Sequence, residues 1–244
     1  MVDRRRSRIV YLLALAILLS VGAFTQPFSA FDKTNKRDRV SAASIETFLM
    51  KGLVFERHLP IVINGRLPDA SSVAYVLGGT QDSLSFKWKT VARLYAERKV
   101  RNILILHKPG ITEYSPVLGR NLTNDEWAIG KLKEEGVAAE AVEFVSVPPA
   151  TFDTFAEARV ISALARSRQV TGLVLVTSSH HSERVRISFS HFDADNAFEW
   201  YLYGSEEKAG ITELLRENLT LRIYRYFLLP IDRMRSSSGS IGLQ

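Results

Sequence analysis

From residue 73 onward, short apolar runs alternate with longer segments in which apolar residues recur every three or four positions. The apolar runs predict strands at residues 73–77, 100–106, 141–147, 172–177 and 198–203. The periodic segments predict helices at residues 86–99, 123–135, 152–168, 183–191 and 211–229, the last ending at Pro230. This alternation is typical of a parallel sheet covered by helices on both faces. The pattern therefore predicts an α/β domain at residues 72–230 with a mostly parallel sheet of about five strands.

The N-terminal residues have a different pattern. Residues 9–24 read IVYLLALAILLSVGAF, and the uncharged stretch continues from there to residue 31. A run of this length can cross a bilayer, and the arginines before it would keep the N-terminus in the cytoplasm. We predict a transmembrane anchor within residues 1–31, with a cleaved signal peptide as the alternative. Either segment places the rest of the chain outside the cytoplasm.

Two further segments complete the predicted organisation. Residues 32–71 form a polar connector with a short helix at residues 44–52 and an extended run at residues 59–63. Residues 231–244, which include a Ser/Gly-rich stretch, form a flexible tail.

Composition narrows the chemistry. The 244 residues include no cysteine, which excludes disulfides, thiolate metal sites and cysteine nucleophiles. The net charge of +6 comes largely from basic residues on either side of the apolar segment, so nucleic-acid binding has no support. No HExxH spacing and no GxSxG elbow occur, and we predict neither a metal site nor a classical α/β-hydrolase.

Candidate binding residues follow the predicted strands, because ligands of open parallel sheets bind outside the carboxyl ends of the strands. After the first strand come Gly78, Gly79 and Thr80, a turn whose peptide N–H groups could meet an anion. The structural alternative is a tight turn that requires glycine. His107 and Lys108 follow the second strand.

Two segments match a capping box, in which a threonine and a glutamate three positions later satisfy the start of a helix. They are Thr123 with Glu126, and Thr154 with Glu157. Each glutamate therefore has a structural explanation. The functional alternative is a carboxylate at the mouth of the site.

The fourth strand leads into the strongest candidate segment, TSSHHSER at residues 177–184. Thr177 and Ser178 supply hydroxyls, and His181 and Arg184 are three residues apart, hence neighbours on one helix face. A histidine exchanges a proton near neutral pH, and an arginine binds phosphate or carboxylate with two hydrogen bonds. This combination suits an anionic ligand. The alternative is that the histidines belong to a loop and Arg184 pairs with a nearby acid.

The order of these motifs resembles the bacterial family of domains of unknown function that includes SanA, ElyC and YdcF. The resemblance covers residues 72–189 and rests on Leu-Gly-Gly at residues 77–79, an acid at residue 126, Gly136-Val137, Thr154 with Glu157, and Val-Thr-Ser at residues 176–178 followed by His181 and Arg184. One departure is the sequence His-Lys-Pro-Gly at residues 107–110, where many members have a Ser-Gly-Gly turn.

The resemblance implies a Rossmann-like three-layer sandwich and, for members with an N-terminal anchor, a role in envelope integrity and peptidoglycan-related processes. It also implies that Glu126, Thr154 and Glu157 line the site together with His181 and Arg184. One soluble member is described as binding S-adenosylmethionine. We do not extend this cofactor to an extracytoplasmic domain, and no cofactor is predicted.

These observations lead to one hypothesis and one alternative. The hypothesis is a single-pass inner-membrane protein whose periplasmic domain binds or processes a phosphorylated or otherwise anionic envelope intermediate, lipid-linked intermediates included. As an enzyme it would be a hydrolase or a transferase. The glycine turn and Arg184 would hold the anion, His181 would act as general acid or base, and Glu126 and Glu157 would orient His181 or bind a hydroxyl. The alternative is a non-catalytic ligand sensor or a scaffold for envelope-biogenesis enzymes.

Overall fold

The computed structural model describes residues 42–58 and 73–239. The strands, in chain order, are β1 (Val73–Val76), β2 (Asn102–Leu106), β3 (Ile111–Ser115), β4 (Arg120–Thr123), β5 (Val142–Val145), β6 (Gly172–Ser178) and β7 (Glu199–Ser205). One five-stranded sheet has the order β5-β2-β1-β6-β7, and all its pairings are parallel. The α/β class and the parallel sheet of five strands are confirmed, and the arrangement fits a Rossmann-like sandwich.

The helices are α1 (Ala42–Met50), α2 (Gln81–Ala96), α3 (Asn124–Glu134), α4 (Asp153–Ser167), α5 (Ser182–Phe192), α6 (Ile211–Ile223) and α7 (Leu229–Gly239). The predicted positions match α3, α4 and α5 within one or two residues. Helix α2 begins five residues before the predicted start, because Thr80 caps it and accepts a hydrogen bond from the Ser83 N–H. Its first turn is polar, so apolar periodicity alone could not detect it.

Alternating residues of the central strand face the two helical layers. Ala74 and Val76 lie in one buried cluster with Trp88 of α2 and Trp127 of α3, whose rings are 4.7 Å apart. Tyr75 lies in a second cluster on the opposite face, formed largely by α4 and α5. Each face of β1 is therefore covered, which explains why its sequence is continuously apolar.

A two-stranded antiparallel hairpin of β3 and β4 lies between β2 and α3 and was not predicted. Its strands have little apolar alternation, and its large apolar side chains are exposed, both in β3 (Ile111, Tyr114) and in the turn (Val117, Leu118). Residues 107–110, which depart from the pattern of the resembled family, lie directly before β3. Gly110, the last of them, has a φ of 131°. Such a backbone conformation favours glycine.

The C-terminal helix does not end at Pro230, and this expectation is corrected. A π-helical turn, Tyr224–Leu228, follows α6, and α7 then continues to Gly239. The wider turn shifts the backbone hydrogen bonds, so Pro230 lies in the first turn of a new α-helical segment, where its missing N–H is tolerated. Residues 231–239, predicted as part of a flexible tail, are therefore helical.

Residues 42–58 pack on the domain, whereas the sequence assigned them to a connector. Leu53 lies in a buried cluster with Leu214 and Leu221 of α6. Arg57 forms an antiparallel bridge with Leu202 of β7. The predicted N-terminal anchor and the extended run at residues 59–63 lie outside the described residues. Within residues 42–58 and 73–239, no helix has the length and apolarity needed to cross a membrane.

Candidate functional site

The strand order reverses direction at β1, which pairs with β2 on one side and β6 on the other. The carboxyl ends of β1 and β6 therefore flank the crevice in which ligands of open α/β sheets bind. The glycine turn follows β1, and the Ser-His-His segment follows β6. The fold thus brings two of the predicted motifs to the same edge of the sheet.

The turn after β1 is held from below by two buried ionisable residues. Glu157 of α4 accepts hydrogen bonds from the Tyr75 hydroxyl at 2.7 Å and from the Gly78 N–H at 3.2 Å. Lys87 of α2 donates to the carbonyl oxygens of Leu77 and Gly78, at 3.3 and 2.7 Å. These bonds fix the backbone conformation of the turn from both helical layers.

The second predicted capping box is wrong. Phe152, not a threonine, occupies the N-cap of α4, and no side chain caps this helix. Thr154 and Glu157 lie inside the helix, and both are buried. Their side chains point their polar atoms at other elements: Thr154 accepts a hydrogen bond from Arg184, and Glu157 holds the turn after β1.

Burial changes the pKa of both residues beneath the turn. It lowers the pKa of Lys87 to about 8, although the negative charges of Glu157 and Glu207 oppose the change. It raises the pKa of Glu157, although Tyr75 and Gly78 donate hydrogen bonds to the carboxylate. Burying both charged groups costs free energy because each loses its hydration. The turn after β1 nevertheless depends on both, since each one forms hydrogen bonds to its backbone.

A hydroxyl–carboxylate group connects α2 with the end of β6. The Ser83 hydroxyl lies 3.2 Å from the Ser178 hydroxyl and donates to the Glu207 carboxylate at 3.0 Å. Ser178 also donates a short hydrogen bond to Glu207. Predicted ligand-binding Ser178 is thus bound to its neighbours, and Thr177 is buried within β6.

The two histidines lie on a single 3₁₀ turn, Ser179–His181, between β6 and α5. Ser182 closes this turn by donating to the Ser179 carbonyl oxygen at 2.6 Å. Ser179 donates to the Ser205 carbonyl oxygen of β7 at 3.0 Å. The imidazole rings come within 4.1 Å of each other, centroid to centroid.

His181 and Arg184 both contact Glu217 of α6. His181 Nδ1 lies 2.7 Å from Glu217 Oε2. Arg184 donates through Nε and Nη2 to the two carboxylate oxygens, at 2.5 and 3.0 Å, and through Nη1 to Thr154 Oγ1 at 2.5 Å. The short contact assigns the Nδ1 proton of His181 to a hydrogen bond with Glu217. Arg184 Nη2 lies 3.1 Å from the same Nδ1. With the proton on Nδ1 both atoms are donors, so this contact is not a hydrogen bond.

This arrangement accounts for the ionisation of Glu217. Burial raises its pKa, but the hydrogen bonds and positive charges of His181 and Arg184 outweigh burial and bring the pKa to about 2. Arg184 also lies over the ring of Tyr224, 5.5 Å from its centroid. All three guanidinium nitrogens are therefore engaged within the protein, as in the alternative interpretation of Arg184.

His180 is buried and has no hydrogen bond. It is 1% exposed, and neither ring nitrogen has a hydrogen-bond partner among the described residues. Its Nε2 lies 3.4 Å from Glu213 Oε1 of α6, without the geometry of a hydrogen bond. Burial lowers the pKa of His180, and the charge of His181 adds to this effect. A buried polar group without a partner costs about 1–3 kcal/mol.

A cavity of about 250 Å³ opens beside the turn, on the β2 side of β1. Gly78, Gly79 and Thr80 line it, together with Lys108 and Asp125. Its walls are largely apolar and include Leu84, Trp88, Ile105, Trp127 and Phe144. The indole N–H of Trp88 has no acceptor among the described residues.

Glu126 does not join the other predicted site residues. It completes the predicted capping box with Thr123, which is confirmed. Its carboxylate also accepts two hydrogen bonds from Arg120, at 2.9 and 2.6 Å. The Arg120 hydrogen bonds lower the pKa of Glu126 to about 2. Within the described part of the chain, no contact links Glu126 to His181 or Arg184.

Sequence reasoning missed Glu217, Glu213, Glu207 and Lys87. One signal was available for Glu217, since it lies three residues after Leu214 and four before Leu221, within the buried stripe of α6. A glutamate in an apolar stripe requires a partner. Glu207 follows β7 in an irregular segment, and no periodic pattern indicates its position.

Comparisons with known proteins add little to this geometry. No family model and no curated protein matches the chain. Among solved structures, a mutant of the Thermobaculum terrenum O-GlcNAc transferase aligns at 18% identity and a TM-score of 0.28, covering 66% of this chain and 30% of that chain. The chain thus spans less than a third of that structure, and the likeness carries no argument about fold or function.

Proposed function

We propose that this chain is a membrane-anchored protein of the bacterial cell envelope whose extracytoplasmic domain binds or processes a phosphorylated or otherwise anionic envelope intermediate. Support for the placement comes from the uncharged run at residues 9–24 with its preceding arginines, and from the resemblance to the YdcF-like family. A reporter enzyme that is active only outside the cytoplasm, fused after Gln244, tests this placement.

The observation that carries the binding proposal is the cavity beside the Gly78–Gly79 turn. It lies at the carboxyl ends of β1 and β2, where the fold class places ligands. Its apolar walls suit the non-polar part of a ligand.

The anionic group of the ligand would lie against Lys108 and the backbone of Gly79 and Thr80. Arg184, predicted as the anion-binding residue, is held by Glu217 and Thr154 and is only 14% exposed. The cation at the cavity border is Lys108, which is exposed. The negative charge of Asp125 is directed to His107, whose Nδ1 lies 2.6 Å away.

If the bound compound reacts, His181 is the residue whose geometry supports the reaction. Glu217 fixes its Nδ1, and Nε2 forms no hydrogen bond within the described residues. The second candidate function is a non-catalytic sensor or scaffold. It is favoured by one observation: Arg184, Thr154 and Glu157 are saturated by contacts inside the protein.

Thermal-shift measurements on the purified protein test the binding proposal. The panel contains nucleotides, sugar phosphates, prenyl phosphates and peptidoglycan fragments, with uncharged analogues of each. We expect stabilisation by an anionic compound, of about 2.7 kcal/mol when its concentration is about 100 times Kd. Lys108→Ala should remove most of this effect.

The matched control is Lys131→Ala, a half-exposed lysine of α3 whose ammonium group pairs with Glu134 within the described residues. It should bind like the wild type. Equal binding by Lys108→Ala and the wild type, or no response to any class, contradicts the proposal. Turnover of a bound compound that is lost in His181→Ala, with binding retained, supports an enzyme over a sensor.

A further inference from the structure

We infer that His180, His181 and Glu213 form a binding site for one Zn²⁺ ion. Each residue offers one ligand atom, and the three atoms lie within 4.8 Å of one another. Two imidazole nitrogens and a carboxylate oxygen are a ligand set of catalytic zinc sites, in which the fourth position stays open for water or substrate. The site goes beyond the proposed function, because an ion can bind these residues whether or not the cavity binds an anionic ligand.

The best-defined distance in this group matches zinc coordination. Ligand atoms about 2.0–2.1 Å from a zinc ion and at a tetrahedral angle are about 3.3 Å apart. His180 Nε2 and Glu213 Oε1 are 3.4 Å apart and do not form a hydrogen bond. Their separation therefore needs little change for both atoms to bind one zinc ion.

The burial of His180 points to a ligand as well. A fully buried imidazole normally has a hydrogen-bond partner, and His180 has none within the described residues although its side chain is inaccessible to solvent. Its Nε2 approaches a carboxylate that can serve the same ion. An ion at this point would supply the partner that Nε2 lacks.

The contacts of His181 fit the same role. Histidines that bind metals usually donate their other ring N–H to a carboxylate, which fixes the orientation of the ring. Glu217 lies 2.7 Å from His181 Nδ1, and Arg184 holds Glu217 with two hydrogen bonds. Glu217 and Arg184 are therefore positioning residues, and His181 Nε2 is the nitrogen that would bind the ion.

The charge of the neighbourhood also favours a cation. Glu207, Glu213 and Glu217 surround the histidines, and Arg184 is the guanidinium buried among them. The guanidinium of Arg216 approaches Glu213 only to 3.8 Å and is largely exposed. A divalent ion would compensate the remaining carboxylate charge.

One consequence rests on the proposed function. With an ion bound, the open fourth position would take water or an oxygen of the anionic ligand. His181 would then be a metal ligand, and the proton-transfer role predicted for it from the sequence would pass to water on the ion.

The test uses the full chain after treatment with a chelator. Zn²⁺ binding is followed by calorimetry, and Co²⁺ binding by the visible absorption that reports tetrahedral coordination. We expect one ion per chain. His180→Ala and Glu213→Gln should weaken binding at least about 100-fold, and Glu217→Gln about 10–100-fold.

The control variant is His58→Ala, which removes an exposed histidine that also contacts a glutamate. It should bind zinc like the wild type. Glu213 is partly exposed on α6, so Glu213→Gln decides the question if His180→Ala does not fold. The inference is overturned if the wild type binds neither ion, or if Glu213→Gln binds zinc as tightly as His58→Ala. Thermal shifts with chelated protein test the cavity separately, so each proposal can fail without the other.

Discussion

The cavity on the β2 side of β1 and the polar cluster on the β6 side differ in the residues that form them. The cavity has about 250 Å³ of space and mostly apolar walls. The cluster of His180, His181, Arg184, Glu213 and Glu217 has ionisable groups in direct contact. The cavity thus has space for a ligand but few charged side chains, whereas the cluster has several charged side chains and little space.

The two regions meet at the turn after β1. Gly78 and Gly79 border the cavity, and a Cβ atom on Gly79 would lie 3.1 Å from the Ser83 hydroxyl. Ser83 in turn binds Glu207, whose charge acts on His180. The switch point therefore separates the space for a ligand from the groups that could act on it, and Ser83 and Glu207 form a short polar connection between them.

The largest expected effect is on stability, and it compares a buried ion pair of the cluster with an exposed ion pair on the surface. Glu217→Ala should lower the free energy of unfolding by about 3–5 kcal/mol, because it leaves Arg184 buried without its partner. Chemical denaturation measures the change. Glu143→Ala breaks the exposed pair with Arg168, which has equally short contacts, and should cost less than about 1 kcal/mol. Similar losses in both variants would remove the distinction between the two environments.

Lys87, beneath the turn, should give the next largest effect through pH. Its pKa is about 8 in the folded protein, below the ordinary lysine value of 10.5. Below about pH 8 the lysine is protonated in both the folded and the unfolded protein, and the folded state bears the full free-energy cost of burying the ammonium group. Between about pH 8 and the ordinary pKa of 10.5 the unfolded state binds more protons. The free energy of unfolding should therefore rise with pH in this range, by about 3 kcal/mol from this residue.

The measurement is urea unfolding of the wild type and Lys87→Met from about pH 7 to about pH 10.5. The wild type should gain stability relative to the variant across this range. Parallel pH profiles of the two proteins would show that Lys87 is not destabilised by burial.

The smallest expected effect concerns the border between the two regions. A Cβ atom on Gly78 would lie 3.0 Å from Leu106 Cδ2 and 3.2 Å from Glu157 Oε1. Gly78→Ala should therefore cost about 1–3 kcal/mol of unfolding free energy. Gly130, exposed in α3, has no atom within 4 Å of an added Cβ, and Gly130→Ala should stabilise by about 0.5–1 kcal/mol. Equal effects of the two substitutions would show that the turn tolerates side chains.

The predictions from sequence differed in accuracy according to how local their physical basis is. The five parallel strands and the capping box of Thr123 and Glu126 were predicted, because periodicity and caps depend on residues close in the chain. The apparent capping box of Thr154 and Glu157 failed, since the same spacing occurs inside α4, where burial directs both side chains to other elements. The hairpin of β3 and β4 was missed because its strands are exposed and lack apolar alternation.

The amino-acid sequence alone specifies the α/β class, the parallel sheet and the strand ends where Gly78, Gly79, Ser178, His181 and Arg184 lie. These features follow from apolar runs, helical periodicity and the rule for carboxyl ends. The partners of these side chains depend on how the helices pack. Glu217 and Glu213 come from a helix more than thirty residues after the histidines, and their contacts depend on how α6 packs against α5. Pairing of buried charges is a property of three-dimensional proximity, and no spacing along the chain specifies it.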